Sequence, residues 1–310
     1  MARPHIEFIQ SQALPWIKGL YGGARLEVEM KILSQDADNA ESSTLIRYPH
    51  GWKQTRAEHL LVDEELFVLD GAVEIAGVEY GRHCYAYLPA GYVRPSASSQ
   101  GGAVVLTMFS GTPSAEPGDP PDGLFNPSIL VKHKDTLSMP WEDLPQALGG
   151  SPAYDELPAE REDDDEMYFD AGLRYAARIK RLWRDPDTGE FTKLFAILPQ
   201  TFPRDWLEKP VQHECVEECY LLAGELAGNL GVMYPGAYFW RPPGIYHGPY
   251  GTLTGWMHLS HLRYGKHENL RAEKDATFEF DAPFRPVLPP DYRKYADAYP
   301  HSMPTGTTCF

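Results

Sequence analysis

The sequence has 310 residues, 43% of them hydrophobic and 12% aromatic, a composition that is typical of globular proteins and excludes disordered and fibrous ones. A chain of this length is expected to form about two domains. Lys and Arg total 28 against 44 Asp and Glu, for a net charge of −16, which argues against nucleic acid or an anionic membrane as a partner. No run approaches the roughly 18 apolar residues of a membrane span, so we expect a cytoplasmic protein whose four cysteines are reduced.

Short apolar or alternating runs, separated by turn residues, follow one another along both halves of the chain. Their lengths and their β-branched and aromatic content predict strands. The runs begin at Thr44, Leu66, Ala72, Ala103, Lys193, Cys219 and Gly255. One short helix is predicted at 141–148, and the acidic segment 155–166 is predicted to be a solvated linker. The Pro- and Tyr-rich tail after about residue 278 is expected to be extended and to wrap a neighbouring domain or subunit.

An internal repeat relates the two halves. The block EELFVLDG, which begins at Glu64, matches EECYLLAG, which begins 153 residues later (217 − 64) at Glu217. Farther on, LPAG ending at Gly91 matches PPG ending at Gly244, again 153 residues later (244 − 91). Two separate blocks in one register predict a tandem duplication, with one β-sandwich or barrel in each half.

The second half contains residue types that suit a metal site. Gly236 begins the run GAYFWRPPGIYH, in which a Pro-Pro-Gly turn precedes His247, and such a turn can direct the next side chains back into a barrel. His213 and Glu217 precede this run. A histidine and a carboxylate on neighbouring strands can converge on one interior point. Two neutral imidazoles and a carboxylate with open positions are a usual site for a divalent transition metal that also binds substrate or oxygen.

These blocks resemble the two motifs of the cupin superfamily, G(x)5HxH(x)3-4E(x)6G and G(x)5PxG(x)2H(x)3N, and the duplication is similar to that of a bicupin. The resemblance covers most of both halves. It implies an all-β fold of tandem double-stranded β-helix (jelly-roll) domains with few short helices. The first cupin domain is expected at 1–135, and the second, with the metal site and an extended C-terminal tail, at 136–310.

Carried over residue by residue, the resemblance implies His213, Glu217 and His247 as metal ligands. The first histidine of the HxH pair falls on Val211, so a fourth ligand is missing. Fe(II) is the metal we expect, with Zn, Mn and Ni as alternatives.

The first copy departs further from the motif. Ala57 replaces the first histidine, His59 and Glu64 remain, and Arg94 lies where the second copy has His247. An arginine does not lose its proton, so it cannot ligate a metal. We therefore predict that the first copy is metal-free, with its pocket filled by side chains or with Arg94 holding an anion.

Further residues of the second copy are predicted to line the pocket. His258, on the strand after the second motif, is interpreted as a ligand or as a catalytic acid or base; the alternative is a hydrogen-bonded strand histidine. Cys219 shares the inward face of Glu217 by alternation, and its alternative is a buried structural thiol. Tyr238 and Trp240 are predicted substrate-binding walls, with barrel packing as the alternative.

The resemblance implies a metal-dependent enzyme that acts on a small molecule. The leading hypothesis is a non-haem Fe(II) dioxygenase, an oxidoreductase that cleaves a carbon–carbon bond of an aromatic or dicarbonyl substrate. One alternative is a redox-neutral lyase, decarboxylase or isomerase with His258 as proton carrier. Another is a ligand-binding bicupin without turnover. The first copy would contribute stability, a homodimer surface or a wall of the active site.

Overall fold

A computed structural model describes residues 3–19, 25–143, 177–200, 202, 206–265, 267–298 and 309–310. In these ranges the chain forms 23 strands and no α-helix, which confirms the all-β prediction. Three short 3-10 helices lie at Ser11–Ala13, Pro127–Ile129 and Pro290–Ala298. Among the same residues, no helix combines the length and the apolar character needed to cross a membrane.

The chain divides into two compact units, and the first contains Leu14–Met139 with residues 1–4 and 310. Its strands are β2 (Ile17–Lys18), β3 (Glu29–Gln35), β4 (Ser42–Tyr48), β5 (Trp52–Gln54), β6 (Glu58–Leu60), β7 (Glu64–Ile75), β8 (Val78–Gly81), β9 (Cys84–Leu88), β10 (Ala97–Ser99), β11 (Ala103–Phe109), β12 (Ala115–Pro117) and β13 (Val131–Asp135).

The second unit contains His5–Ala13 and Pro140–Cys309. Its strands are β1 (Ile6–Gln10), β14 (Glu142–Asp143), β15 (Ala177–Arg184), β16 (Phe191–Ile197), β17 (Val211–Gln212), β18 (Val216–Gly224), β19 (Leu226–Gly228), β20 (Gly231–Met233), β21 (Ala237–Arg241), β22 (Trp256–Arg263) and β23 (Leu270–Arg271).

The main sheets of the two units have the same strand order. In the first unit the antiparallel path runs β9-β7-β11-β4-β3-β2, and in the second it runs β21-β18-β22-β16-β15-β14. One more strand extends each path, because β13 pairs with β9 and β1 pairs with β21. The sequence offset of 153 residues relates β7 to β18, β9 to β21 and β11 to β22, which hold the same places in their sheets.

Each unit packs its own apolar core between sheet faces. Leu66, Val68 and Val105 lie in the core of the first unit, and Leu221 and Phe239 lie in that of the second. Successive side chains of a strand point to opposite faces, so alternate residues of each run enter the core. This burial explains why short β-branched and aromatic runs predicted strands correctly.

A pair of glycines repeats with the same offset and the same geometry. Gly71 and Gly224 have φ of 68° and 74°. A Cβ at either position would collide with a backbone carbonyl oxygen, that of Gly102 for Gly71 and that of Gly255 for Gly224. Only glycine combines this left-handed backbone with such a close approach. The glycine after each EE block is thus required by the sheet and not by the site.

The observed units differ from the expected domains 1–135 and 136–310. Residues 5–13 belong to the second unit, because β1 pairs with β21 through Ile6↔Trp240 and Gln10↔Ala237. Sequence order could not reveal this pairing, since the two strands lie more than 200 residues apart along the chain.

The structure describes only parts of the predicted helix and tail, and none of the predicted linker. Within the predicted helix 141–148, Glu142–Asp143 form strand β14, and 144–148 lie outside the described residues. The predicted linker 155–166 also lies outside them. Of the tail after residue 278, residues 279–298 belong to the second unit, and the Val287 backbone exchanges two hydrogen bonds of 2.8 and 2.7 Å with Glu7.

Candidate metal centre

Strand register gives the second unit one inward face that carries its polar groups. Residues that pair across antiparallel strands share a face of the sheet. The inward set consists of Glu217, Cys219 and Leu221 on β18, Leu262, Ser260 and His258 on β22, Phe191, Lys193 and Phe195 on β16, and Phe239 and Arg241 on β21. The backbone therefore collects distant sequence positions around one interior space.

His213, Glu217 and His247 come together at one end of this face. Val211 forms a β-bridge with His247, so the turn after the Pro-Pro-Gly sequence is fixed to the strand that leads into His213. His213 Nε2 lies 3.8 Å and His247 Nε2 lies 3.4 Å from Glu217 Oε2. One ligand atom from each residue lies within 4.8 Å of the other two. Glu217 and His247 keep part of their surface exposed, so a ligand can reach the group.

Both histidines are oriented by backbone carbonyl groups. His213 Nδ1 lies 3.0 Å from the oxygen of Glu268, and His247 Nδ1 lies 3.0 Å from that of Ile245. A carbonyl oxygen only accepts, so each Nδ1 carries the hydrogen, and a neutral ring then presents the lone pair of Nε2. Such outer contacts are the usual support for metal-ligating histidines.

When both rings are neutral, two Nε2 lone pairs and the carboxylate of Glu217 face one another. Burial, with a contribution from Arg241, lowers the pKa of His247 to about 4, so its protonation does not relieve the repulsion at neutral pH. A cation bound between the three atoms would relieve this repulsion. Ligands bound at about 2.1 Å from one metal lie about 3 to 3.5 Å apart, close to the distances found here. The three residues thus fit a divalent metal.

Arg241 and Glu7 form a buried ion network behind Glu217. Arg241 donates to Oε2 of Glu217 and to both carboxylate oxygens of Glu7. The hydroxyl of Tyr250 donates to Glu7 over 2.9 Å. Arg241 is 2% exposed and Glu7 is 3% exposed. The guanidinium fixes the orientation of the Glu217 carboxylate.

The network keeps both carboxylates charged. Burial alone would raise the pKa of Glu217, but Arg241 and then His247 lower it well below its usual range. Burial also acts to raise the pKa of Glu7, and Arg241 outweighs it, so that the pKa falls to about 2. The carboxylate of Glu217 therefore stays charged at physiological pH.

His258 and Cys219 lie on the inward face but outside the group of three. Along β22, His258 is four residues from Leu262, the partner of Glu217, or roughly 13 Å along the strand. Its Nδ1 accepts from the indole of Trp256 over 3.0 Å, and burial lowers its pKa to about 3. Cys219 Sγ lies 3.6 Å from Ser260 Oγ, and burial raises its pKa well above the usual value. Both groups are neutral, and their catalytic and substrate-binding roles stay predictions.

Lys193 is a site residue that the sequence reasoning missed. It points into the same interior, is 8% exposed, and has no hydrogen-bond or ion-pair partner in the described part of the chain. Its Nζ lies 5.4 Å from the ring centres of both Phe191 and Phe195. Burial lowers its pKa. The sequence did contain a signal for this residue. Lys193 alternates with Phe191 and Phe195 in the run FTKLFAI, which predicts that all three side chains point to the same face of the strand.

His267 is a second residue that the motif did not include. Its ring centre lies 4.3 Å from that of His213 and 6.0 Å from that of Phe191. Burial lowers its pKa well below the usual value. Its nitrogens do not complete the group within 4.8 Å, so it adjoins the group of three through its contact with His213.

The predicted pocket walls Tyr238 and Trp240 face the other way. Across the sheet, Tyr238 pairs with Tyr220 and Trp240 pairs with Glu218, on the face opposite Glu217. The hydroxyl of Tyr238 donates to Glu218. The prediction of substrate-binding walls is therefore wrong by one residue, because a shift of one position reverses the face of a strand. Phe239 lines the interior instead.

The first unit has the same framework with different side chains. Arg94 forms a β-bridge with Glu58, as His247 does with Val211, and both pairs have the offset of 153. Leu60 is then equivalent to His213, not His59, and the expectation that His59 retained the motif histidine is wrong. His59 points to the other side, where its Nδ1 lies 3.1 Å from the carbonyl oxygen of Gly118.

Comparison with solved structures gives the same architecture. A candidate dioxygenase from Nostoc punctiforme is 17% identical, with a TM-score of 0.66, and the match covers 90% of this chain and 92% of that one. Oxalate decarboxylase from Lactobacillus farciminis is 10% identical over 86% and 88%, with a TM-score of 0.49. A protein from E. coli is 11% identical over 83% and 90%, with a TM-score of 0.48.

No family model matches the sequence, and no curated protein matches it. The fold assignment therefore depends on strand order and on the likeness to the Nostoc structure. The antiparallel sheets with their shared order of strands identify the fold of this chain as the all-β cupin jelly-roll.

Proposed function

We propose that this protein is a metal-dependent cupin enzyme and that His213, Glu217 and His247 hold its metal. The observation that carries the proposal is the convergence of two Nε2 atoms on Glu217 Oε2 at 3.8 and 3.4 Å, with both Nδ1 atoms engaged by carbonyl groups. A divalent cation between these atoms would bind all three of them, whereas Arg241 reaches only Glu217. Two histidines and one carboxylate with open positions are the ligand set of non-haem Fe(II) oxygenases.

The reaction that we propose is oxidative cleavage of a carbon–carbon bond in a dicarbonyl or aromatic small molecule. Iron bound at the three residues would act as a Lewis acid and supply the site for dioxygen chemistry. The fold similarity to the Nostoc candidate dioxygenase agrees with this proposal, although a shared fold does not specify a reaction.

The interior residues favour a small substrate that carries an anionic oxygen. The ammonium group of Lys193, with no partner among the described residues, is free to bind a carboxylate or enolate. Phe191 and Phe195 flank it and limit the access of water. Arg241 keeps Glu217 in place, and the neutral ring of His258, whose Nδ1 accepts from Trp256, can donate one hydrogen bond from Nε2.

The pair of Lys193 and His258 also favours one alternative. Burial lowers the pKa of both groups, which brings the lysine closer to a proton-transfer role at neutral pH. A redox-neutral decarboxylase, lyase or isomerase would use such a group without consuming dioxygen.

Metal content decides between these reactions. Protein purified without oxygen is analysed for iron, zinc, manganese and nickel, alongside His213→Ala and the control His133→Ala, which alters an exposed histidine of the first unit. We expect one equivalent of iron that His213→Ala loses and His133→Ala retains, and oxygen uptake with dicarbonyls or catechols. Zinc, manganese or nickel without oxygen uptake supports the redox-neutral enzyme. Equal metal in all three proteins contradicts the proposed centre.

Lys193 has its own test once a substrate is found. Lys193→Met should raise KM for anionic substrates about tenfold or more and leave metal content unchanged. A KM that changes equally for a neutral analogue contradicts the binding role.

A further inference from the structure

Arg94 in the first unit is a buried cation whose hydrogen-bond donors have no acceptor. Its side chain is 1% exposed, and Nε, Nη1 and Nη2 lack a hydrogen-bond partner among the described residues. Nη2 lies 2.9 Å from Oε2 of Glu64, but none of the N–H groups points at that oxygen well enough to donate. An unmet buried donor destabilises a protein by about 1–3 kcal/mol, and more when it is charged.

The nearest carboxylate is already neutralised by another arginine. Arg25 donates to Oε2 of Glu64 over 2.7 Å and to the hydroxyl of Tyr48 over 2.7 Å. Both Arg25 and Glu64 are buried, so they form a complete ion pair. Arg94 is therefore the second guanidinium beside a single paired carboxylate.

Glu58 does not accept a hydrogen bond from the side chain of Arg94 either, among the described residues. Its backbone exchanges hydrogen bonds of 3.1 and 2.8 Å with Arg94, and residues of such a bridge direct their side chains to the same side. Its Oε1 is buried and has no donor among the described residues. Burial raises the pKa of Glu58 and outweighs Arg25 and Arg94, and no N–H group of Arg94 donates to its carboxyl group among the described residues.

We propose that the first unit binds a small carboxylate anion on the guanidinium of Arg94, at the place that corresponds to His247 in the second unit. A planar carboxylate accepts two parallel N–H bonds from an arginine, and this would satisfy the fork.

The surroundings restrict the size of the anion. Leu60 takes the position of His213, and Leu60, Tyr80 and Leu88 belong to the apolar core of this unit. A short aliphatic carboxylate such as formate or acetate suits a polar group enclosed by apolar side chains, because a second charge would have no partner there.

The test measures carboxylate binding by metal-free protein dialysed into a buffer without carboxylates. Formate and acetate are titrated at constant ionic strength, with chloride as the reference salt, and binding is followed by thermal unfolding and by saturation-transfer NMR of the anion. We expect a saturable rise in Tm and an NMR signal in the wild type. Arg94→Gln should weaken binding at least about tenfold, and Arg47→Gln, which alters an exposed arginine of the same unit, should not.

Two more variants distinguish loss of the anion site from loss of folding and from an effect of the metal centre. Arg94→Lys retains the charge without the planar fork and should also bind the carboxylate at least about tenfold more weakly. This variant replaces Arg94→Gln in the test if Arg94→Gln does not fold. His247→Ala should bind as the wild type does, which separates this site from the metal centre. No saturable effect beyond that of chloride, or equal binding by the Arg94 variants, would show that water alone satisfies the fork and overturns the proposal. Loss of binding only in His247→Ala also overturns it.

Discussion

Arg241→Gln removes the one cation that Glu7 and Glu217 share. The pKa of Glu7 is lowered from 4.5 to about 2, and at about 1.4 kcal/mol for each pKa unit the charged form stabilises the fold by about 3 kcal/mol. Breaking a buried ion pair by removing one partner typically costs about 3–5 kcal/mol. We therefore expect the free energy of unfolding of the metal-free protein to fall by about 3 kcal/mol at pH 7.

The effect depends on pH with a definite sign. Because the pKa of Glu7 is lower in the folded state, its stabilisation is present above about 4.5 and is lost as the pH falls towards about 2. In Arg241→Gln burial still raises the pKa of Glu7, and only the weaker effects of His5 and His247 oppose it. The difference in stability between wild type and variant should thus be largest near pH 7 and shrink below pH 4.5.

Urea unfolding of EDTA-treated protein, followed by circular dichroism at pH 7 and at pH 3, measures both effects. Arg181→Gln is the matched control in the same unit, since its ion pair with Glu142 is about half exposed and should contribute less than about 1 kcal/mol. A loss in Arg241→Gln no greater than in the control, or a loss that is the same at both pH values, would refute the reasoning.

Three other substitutions or measurements test the site and the fold. His247→Ala should weaken Co(II) binding by at least about 100-fold, whereas Arg94→Ala should retain it; equal losses contradict a single centre in the second unit. Because its pKa is lowered to about 3, His258 should show no NMR titration between about pH 5 and 8, and a midpoint in that range would mean that the ring is not buried. Gly224→Ala should lower the free energy of unfolding in urea by about 2–4 kcal/mol, because its Cβ would collide with the neighbouring strand. The control Gly189→Ala has the same sign of φ but open space around the Cβ, and it should lower that free energy by about 1 kcal/mol. Equal losses in the two variants would mean that the backbone conformation alone causes the effect.

The sequence by itself determined the all-β fold class, the repeat and three residues that the structure brings together. Strands were predictable because alternation and β-branched composition are local properties. The repeat was visible because Gly71 and Gly224 meet the same steric requirement. His213, Glu217 and His247 were predictable because they occupy positions of the motifs that this sequence resembles, and the spacing within such motifs is a local property.

Only the tertiary structure decided which residues support that group. Glu7 reaches Arg241 because β1 pairs with a strand more than 200 residues away, and no local pattern encodes such a pairing. Tyr238, Trp240 and His59 were assigned to the wrong faces, because a strand reverses its side chains at every residue and the register is fixed by the neighbouring strands. The chain thus specifies its elements locally, and the charges around the site follow from how the elements pair.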